Sequence, residues 1–159
     1  MPVHTLEDLI AYNNVHAAEE MPYFQQELFI AAQARGPLAD QAYVDALALN
    51  FRISRQEGID AVMDRLELDA LLAPTRSPAW VIDVVNGGRG SIDSSTPAAL
   101  AGYPLITVPA GYAFGALPVG VTFMGRRWSE PTLIKIAYAF EQATMARRPP
   151  QFLPTLSFA

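Results

Sequence analysis

Residues 94–125 read SSTPAALAGYPLITVPAGYAFGALPVGVTFMG, and they carry the clearest pattern of secondary structure in the chain. Its serine-rich start and alanine-rich continuation predict a short helix that is capped by Ser95 or Thr96, and Gly102-Tyr103-Pro104 ends that helix. Two apolar runs follow, at residues 105–108 and 119–124, with turn residues between them. The stretch therefore predicts a helix followed by two strands.

The segments on either side extend this pattern. Upstream, the apolar run at residues 69–74 ends in proline and predicts a buried strand, and residues 75–95 predict a long glycine-rich loop. Downstream, Ser129 predicts the start of a last helix, which Pro149-Pro150 ends. Its predicted buried stripe consists of apolar side chains at helical spacing, namely Leu133, Ile136, Ala137, Phe140 and Ala143.

The N-terminal part is predicted to be helical. Thr5 begins a capping-box pattern that starts a helix over residues 6–20, and Pro22 fits the first turn of a second helix. A long helical segment over residues 39–66 follows, with Gly58 as a kink.

The whole chain of 159 residues is expected to form a single domain. Residues 1–66 are mainly helical in this prediction, and residues 67–159 hold the sheet and the remaining helices. Few strands and much helix predict an α/β fold in which helices pack on a small mixed β-sheet.

The composition limits the partners. The chain has 16 acidic against 11 basic residues and a net charge of −5, which argues against nucleic-acid binding. It has no cysteine, so disulfides and thiol nucleophiles are excluded. It also has no apolar run of about 18 residues, which argues against a membrane partner. Because no signal peptide is visible, we expect a cytoplasmic location.

Two interpretations of Ser94 and Ser95 are open. A nucleophilic serine needs a base beside it, and the sequence has no Gly-x-Ser-x-Gly elbow. Lys135 is the only lysine, and it lies on the last helix, where an exposed position is the simpler interpretation. The simpler interpretation of Ser95 is a helix cap.

Metal and phosphate sites receive weaker support. His16 and Glu20 have the i, i+4 spacing of a metal pair, but no third ligand is evident and a solvated helix face is the simpler interpretation. The glycines at residues 86–90 form either a turn or a close approach to a ligand, in which Arg89 grips a carboxylate. Asp93 either stabilises a turn or forms a polar wall of a substrate pocket.

Short motifs occur in a fixed order along the chain. The run Asp69-Ala70-Leu71-Leu72-Ala73-Pro74-Thr75 fits the pattern D-x-L-L-x-P-T, and the later motifs are Ala101-Gly102-Tyr103-Pro104, Val108-Pro109-Ala110-Gly111, Leu117-Pro118-Val119-Gly120 and Met124-Gly125. Together with residues 5–13 and 19–27, they resemble the C-terminal portion of amidase signature family enzymes, in a bacterial subgroup that includes peptide amidases. The resemblance covers nearly the whole chain.

The resemblance implies a portion of the amidase signature fold and an enzyme that hydrolyses carboxamides with a serine, a cis-serine and a lysine. The segments that carry this triad are absent from the sequence, so no residue here is assigned a catalytic role and the chain alone is expected to be inactive. No metal or other cofactor is implied. The loop before the Ala-Gly-x-Pro motif faces the substrate in relatives, which makes Asp93 a candidate for substrate binding, and Arg89, Ser94 and Ser95 are expected there as well. Trp80 and Tyr103 form either walls of that pocket or part of the core.

Three hypotheses follow from the sequence. The first is the C-terminal part of an amidase, which contacts a small amide substrate only in the context of the complete enzyme. The second is a free-standing, non-catalytic binding domain derived from the amidase fold. The third, compatible with either, is a homo-oligomer that covers sheet edges by self-association.

Overall fold

The computed structural model describes residues 3–83, 85–88, 90, 92–150 and 152. The chain divides into two compact units, Met1–Asp45 and Ala46–Ala159. The elements, in chain order, are the helices α1 (Leu6–Val15), α2 (Ala17–Glu20), α3 (Glu27–Gln33) and α4 (Gln41–Phe51), a π-helical segment (Arg52–Ile59), α5 (Asp60–Arg65), β1 (Leu71–Pro74), α6 (Ser95–Ala101), β2 (Leu105–Ala113), β3 (Leu117–Met124) and α7 (Glu130–Thr144).

The first unit begins with the predicted capping box. The backbone N–H of Asp8 donates to Thr5 Oγ1 over 3.1 Å, and the Asp8 carboxylate accepts from the backbone N–H of Thr5 over 3.0 Å. Hydrogen bonds from the backbone of His4 and from Thr5 lower the pKa of Asp8. The predicted continuous helix over residues 6–20 is wrong, because the chain leaves helical geometry at His16 between α1 and α2.

A buried amide organises the rest of this unit. Gln26 is the one buried residue among those described there, and its Nε2 donates to the carbonyl oxygen of Ile10 over 3.2 Å and to Asn14 Oδ1 over 2.7 Å. The second predicted helix therefore starts later than Pro22. The chain is irregular up to Gln26, whose side chain bonds to polar groups of α1, and α3 begins at Glu27.

The predicted long helix changes its winding in its second half. The π-helical segment joins α4 to α5 where the sequence predicted a kink at Gly58. A Cβ at Gly58 would lie 2.6 Å from the carbonyl oxygen of Ile53, so glycine is what allows that carbonyl to approach. The irregularity predicted at Gly58 is thus a π-helical turn, which has a wider winding than the α-helices on either side.

The sheet has three strands in the order β1-β3-β2, and every pair in the described part is antiparallel. The α/β fold class with a small sheet is confirmed, and the pairing is antiparallel where a mixed sheet was predicted, because a tight turn at residues 114–116 connects β2 directly to β3. The β2 strand runs past its predicted end, because a bulge between Pro109 and Gly111 lets the pairing resume.

Helices cover the two faces of this sheet. On one face α7 packs against β2 and β3, and the buried side chains there are Val108, Phe123, Leu133 and Ala137. On the other face the buried cluster joins the π-helical segment, α5, α6 and β3 through Ile59, Met63, Ala98, Ala101 and Met124. The first of these faces positions α7, and the second positions α6 and the turn that follows it.

Two sequence predictions about burial need correction. The β1 strand is only half-buried, since Leu72 is 63% exposed. In α7 the stripe is confirmed at Leu133 and Ala137, but Ala143 is exposed and the helix ends before the prolines, at Met145 in left-handed geometry. None of the helices in the described ranges is long and apolar enough to cross a membrane.

Candidate functional site

The loop over residues 75–95 returns to its starting point at the end of β1. The backbone N–H of Ser77 donates to the carbonyl oxygen of Ile92 over 3.2 Å, and that of Ser94 donates to the carbonyl oxygen of Thr75 over 3.3 Å. Between these bonds, Arg76 and Asp93 form an isolated antiparallel bridge. The two ends of the loop are therefore held side by side, which fixes the start of α6 against the sheet.

Asp93 organises the start of α6. Its Oδ1 accepts a hydrogen bond from the Ser95 hydroxyl over 2.6 Å and another from the Ser95 backbone N–H over 2.8 Å. These bonds lower the pKa of Asp93, the hydroxyl bond most strongly. The predicted capping by Ser95 or Thr96 is wrong: Ser94 occupies the N-cap position, and its hydroxyl donates to the carbonyl oxygen of Thr75 instead of capping the helix.

The geometry favours a structural role for both serines. The Ser95 hydroxyl donates to a carboxylate, and the Ser94 hydroxyl donates to a backbone carbonyl. Neither contact is a nucleophile–base pair of the kind that activates a serine through histidine or lysine. Lys135 is exposed on α7, as the simpler interpretation predicted.

His16, the histidine of the possible metal pair, makes its contacts within its own helical segment. His16 stacks on Tyr12 with ring centroids 4.0 Å apart, and its Nδ1 lies 2.9 Å from the carbonyl oxygen of Tyr12. No group of three or more potential metal-ligating side chains occurs in the part of the chain that the structure describes. The His16 and Glu20 pair therefore remains without a third ligand among those residues.

Trp80 packs inside the loop. A Cβ on Gly88 would lie 2.9 Å from Trp80 Nε1, and a Cβ on Gly90 would lie 3.2 Å from Trp80 Cη2, so both glycines contact the indole ring. The guanidinium of Arg76 lies 5.3 Å from the ring centroid, within the range of a cation–π contact. Arg89, which the sequence placed at the substrate, lies outside the described residues.

A second carboxylate shapes the tip of the loop. Asp83 Oδ1 accepts from the backbone N–H groups of Val85 and Asn86, each over 2.9 Å, and Oδ2 accepts from the Asn86 side-chain amide. The backbone N–H of Gly87 closes the turn on the carbonyl oxygen of Asp83. The hydrogen bonds from Asn86, followed by that from Val85, lower the pKa of Asp83.

Tyr103 lies at the opposite end of α6 from Asp93, Ser94 and Ser95. Its hydroxyl donates to Asp60 Oδ2 over 2.8 Å, and its ring packs against the cluster that contains Met63 and Met124. Burial, followed by the hydrogen bond to Asp60, raises the pKa of Tyr103. Tyr103 lines a separate cleft of about 380 Å³, together with Gly102, Pro104, Arg127, Trp128 and Glu130.

The structure therefore brings together Trp80, Asp93, Ser94 and Ser95 in one loop and places Tyr103 elsewhere. Sequence reasoning did not single out Arg76, whose guanidinium contacts the Trp80 ring and whose backbone forms the β-bridge with Asp93. It also did not single out Ser77, whose buried hydroxyl has no hydrogen-bond partner among the residues that the structure describes. No local pattern marks either residue, because their roles depend on the return of the loop.

A cluster of threonines beside the loop was also not predicted. Thr122 Oγ1 donates to Thr75 Oγ1 over 2.8 Å and lies 2.9 Å from Thr107 Oγ1. Thr122 is buried, with 1% of its surface exposed, and Gly120 contacts the side chains of Thr75 and Thr107. The alternation of the strands does contain this signal, because Thr107 and Thr122 are directly paired residues in β2 and β3.

Comparison with known proteins identifies the family. The sequence model of the family described as Amidase matches residues 12–134 of this chain. The chain belongs to the amidase family. The native peptide amidase from Stenotrophomonas maltophilia is 49% identical, with a TM-score of 0.84 over 95% of this chain and 30% of that enzyme. An amidase family protein from Bacillus anthracis is 28% identical, with a TM-score of 0.72 over 95% of this chain and 26% of that protein.

Curated sequences agree with these structures. A probable amidase of Arabidopsis thaliana is 40% identical over 153 residues, which are 96% of this chain and 26% of that protein. The chain thus spans about a quarter to a third of the length of the amidases that it matches. The resemblance to amidase signature enzymes is confirmed, and the loop and the sheet described above are features of an amidase family member.

Proposed function

We propose that this chain forms the C-terminal part of an amidase that hydrolyses the C–N bond of carboxamides. The nucleophilic serine, the cis-serine and the lysine of that enzyme are supplied by polypeptide outside this sequence. The observation that carries the proposal is the match of nearly the whole chain, at 49% identity, to 30% of a peptide amidase.

The reaction proposed for the complete enzyme is acyl transfer through a serine ester. The serine oxygen attacks the amide carbonyl, the C–N bond breaks, and ammonia leaves with a proton relayed through the cis-serine and the lysine. Water then hydrolyses the ester to the carboxylic acid and regenerates the serine. Backbone N–H groups stabilise the oxyanion in both steps. The residues of this chain position the substrate and form no covalent bond with it.

Exposed apolar side chains of the first unit support the proposal that this chain is part of a longer polypeptide. Its described helices bury no apolar side chain, while Leu28 is 78% exposed and Ile30 is 55% exposed. Apolar side chains contribute to stability only when they leave water. Additional polypeptide that covers these helices would supply that stabilisation, which fits a segment of a longer amidase.

The proposed contribution of the second unit is one wall of the substrate cleft. Residues 75–95 supply this wall, because hydrogen bonds hold both ends of the loop at the sheet and fix the Asp93 carboxylate in place. A preorganised wall reduces the entropy that is lost when the substrate is oriented. The loop is thus suited to orienting an amide for attack by a serine from elsewhere.

The test compares two polypeptides, the 159-residue chain and the product of the complete reading frame that contains it. Ammonia release from a panel of carboxamides is measured for both. We expect turnover by the longer protein and none by the chain alone, since the chain lacks the Ser–cisSer–Lys residues. Turnover by the chain alone overturns the proposal, and so does a complete reading frame that begins at Met1 and has no amidase activity.

A further inference from the structure

The tip of the loop over residues 75–95 carries Asn86-Gly87, a chemically reactive pair. The side-chain amide of an asparagine can be attacked by the backbone nitrogen of the next residue. Glycine hinders this attack least, because it has no side chain. Asn86 is the only asparagine in the sequence that precedes glycine, whereas Asn13, Asn14 and Asn50 precede asparagine, valine and phenylalanine. The amide of Asn86 is therefore expected to react faster than the other three.

The backbone around Asn86 also favours the reaction. Asn86 is exposed, and a Cβ added at Gly87 would have none of the described atoms within 4 Å apart from those of its chain neighbours. The remaining asparagines lie within helices, Asn13 and Asn14 in α1 and Asn50 in α4. Hydrogen bonds along a helix fix the backbone N–H groups there. Asn86 thus differs from them in backbone freedom as well as in its neighbour.

Asp83 holds both reacting groups of this pair in a closed turn. Its Oδ2 accepts from the side-chain amide of Asn86 over 2.9 Å, and its carbonyl oxygen accepts from the backbone N–H of Gly87 over 3.0 Å. The side-chain bond is exposed, and both bonds join residues that are close in sequence. Such a turn opens locally far more easily than the sheet unfolds. The open form is the one in which the Gly87 nitrogen is free to attack.

We propose that Asn86 is a site of spontaneous deamidation and that Asp83 slows the reaction by holding the turn closed. The Gly87 nitrogen gives its proton to water and bonds to Asn86 Cγ. The bond from Cγ to Nδ2 breaks, and the nitrogen takes up a proton and leaves as ammonia. Water then opens the resulting cyclic imide at either carbonyl, which returns a proton to the Gly87 nitrogen and yields aspartate or isoaspartate. The proposal does not depend on the proposed function.

Either product prevents the turn from closing again. An aspartate at position 86 has a carboxylate where the amide now donates to Asp83 Oδ2 over 2.9 Å. Two carboxylates at this separation repel each other and share no hydrogen bond. An isoaspartate adds a methylene group to the backbone and moves the N–H of Gly87 away from the carbonyl oxygen of Asp83. Deamidation therefore converts a closed loop tip into an open one.

The experiment stores the product of the complete reading frame at neutral pH and follows each asparagine by peptide mass spectrometry. We expect aspartate and isoaspartate to accumulate at position 86, and severalfold less conversion at Asn13, Asn14 and Asn50. Conversion at Asn86 that is absent, or no faster than at the other asparagines, overturns the proposal.

Two variants test the restraint by Asp83. Asp83→Ala removes the carboxylate that holds the Asn86 amide and is expected to raise the rate of conversion at Asn86 severalfold. Asp45→Ala is the matched control, because it removes an exposed carboxylate that accepts from the side-chain amide of Gln41 over 2.7 Å, and it is expected to leave that rate unchanged. A rate that Asp83→Ala leaves unchanged, or that both variants raise equally, overturns the proposed restraint.

A third variant tests the effect of the product on the turn. Asn86→Asp creates the aspartate form directly, and it is expected to raise the hydrogen-exchange rates of the backbone N–H groups at residues 85–87 severalfold. These are the groups that bond to Asp83 in the closed turn. Exchange rates equal to those of wild type would show that the turn closes with two carboxylates, which overturns the proposed opening.

Discussion

Arg55 donates its Nε–H to the carbonyl oxygen of Ala101 over 2.6 Å, across 46 positions of sequence. Ala101 is the last residue of α6, and Gly102 turns the chain into left-handed geometry directly after it. The arginine thus satisfies a carbonyl group that the helix itself leaves without a partner. Its guanidinium also lies 3.6 Å from the ring centroid of Phe51. One side chain of the π-helical segment therefore fixes the end of α6.

The first prediction concerns this contact. Arg55→Met keeps most of the aliphatic stem but removes the charged donor, and we expect it to lower the free energy of unfolding by about 1–2 kcal/mol. Arg52→Met is the matched control, because Arg52 and its partner Glu57 are more than half exposed and such pairs contribute about 0–1 kcal/mol. Urea denaturation of both variants measures the difference. Equal losses would contradict the assigned role of Arg55.

Tyr103→Phe tests the hydrogen bond to Asp60. We expect a loss of about 1 kcal/mol at neutral pH, because the phenol no longer donates to the carboxylate. The pKa of Tyr103 is raised by burial, so its contribution to stability is present below the ordinary tyrosine pKa of about 10 and is lost as the pH rises through the higher folded value. The stability gap between wild type and variant should therefore narrow above about pH 10. A difference in unfolding free energy between wild type and variant that stays constant to higher pH would refute the role assigned to the Tyr103 hydroxyl.

Asp93→Asn tests the start of α6 by its acid dependence. The pKa of Asp93 is lowered by the Ser95 hydrogen bonds, so its ionised form stabilises the fold above the ordinary carboxyl pKa of about 4, and that contribution is lost as the pH falls through the lower folded value. The variant cannot ionise, so its stability should fall less steeply than that of wild type below about pH 4. Thermal unfolding at stepped pH compares the two slopes, and parallel slopes would show that Asp93 does not contribute.

Gly120→Ala tests the close approach at the threonine cluster. The added Cβ would lie 2.9 Å from Thr107 Cγ2 and 2.9 Å from Thr75 Oγ1, and we expect this overpacking to cost about 1–3 kcal/mol. Thr107→Ser removes the methyl group at the contact. The double variant Gly120→Ala with Thr107→Ser should therefore recover part of the loss, and denaturant unfolding of all three variants gives the coupling energy. A double variant that shows only the sum of the two single effects would place the strain elsewhere.

Phe114→Asn tests the hairpin turn between β2 and β3. Phe114 has a positive φ of 49° and is 86% exposed, so its side chain contributes little packing in a conformation that asparagine tolerates better. We expect the variant to raise the unfolding free energy by about 0.5–1 kcal/mol. Gly115→Ala is the opposite control, since Gly115 has a φ of 74° and no atom within 4 Å of an added Cβ. Stabilisation by both changes would contradict the conformational argument.

Local sequence patterns predicted the elements that depend on near neighbours. The capping box at Thr5 and Asp8, the strands β1 and β3, and α7 with Leu133 and Ala137 inward all follow from spacing and turn residues within one segment. The extension of β2 beyond Pro109 was missed, because a proline and a glycine locally indicate a stop. The partner strand determines that the ladder continues past the bulge.

The candidate site was predictable in sequence position but not in geometry. The glycines, Trp80 and Asp93 marked the loop, yet its closure depends on the pairing of Ser77 with Ile92, which no spacing rule provides. Tyr103 was grouped with these residues through the family resemblance, and the length of α6 separates it from them. The helical boundary at Gln26 was missed for a related reason, since a side-chain amide that bonds to α1 determines it.

The bulge in β2 has a consequence for the behaviour of the chain in concentrated solution. In the described sheet β2 lies at one edge, and Pro109 within it carries no N–H to offer to another strand. The irregular register after Pro109 further interrupts the row of donors and acceptors along that edge. A second molecule therefore finds no continuous template for cross-β growth on β2, and this strand resists the stacking of identical chains into fibrils.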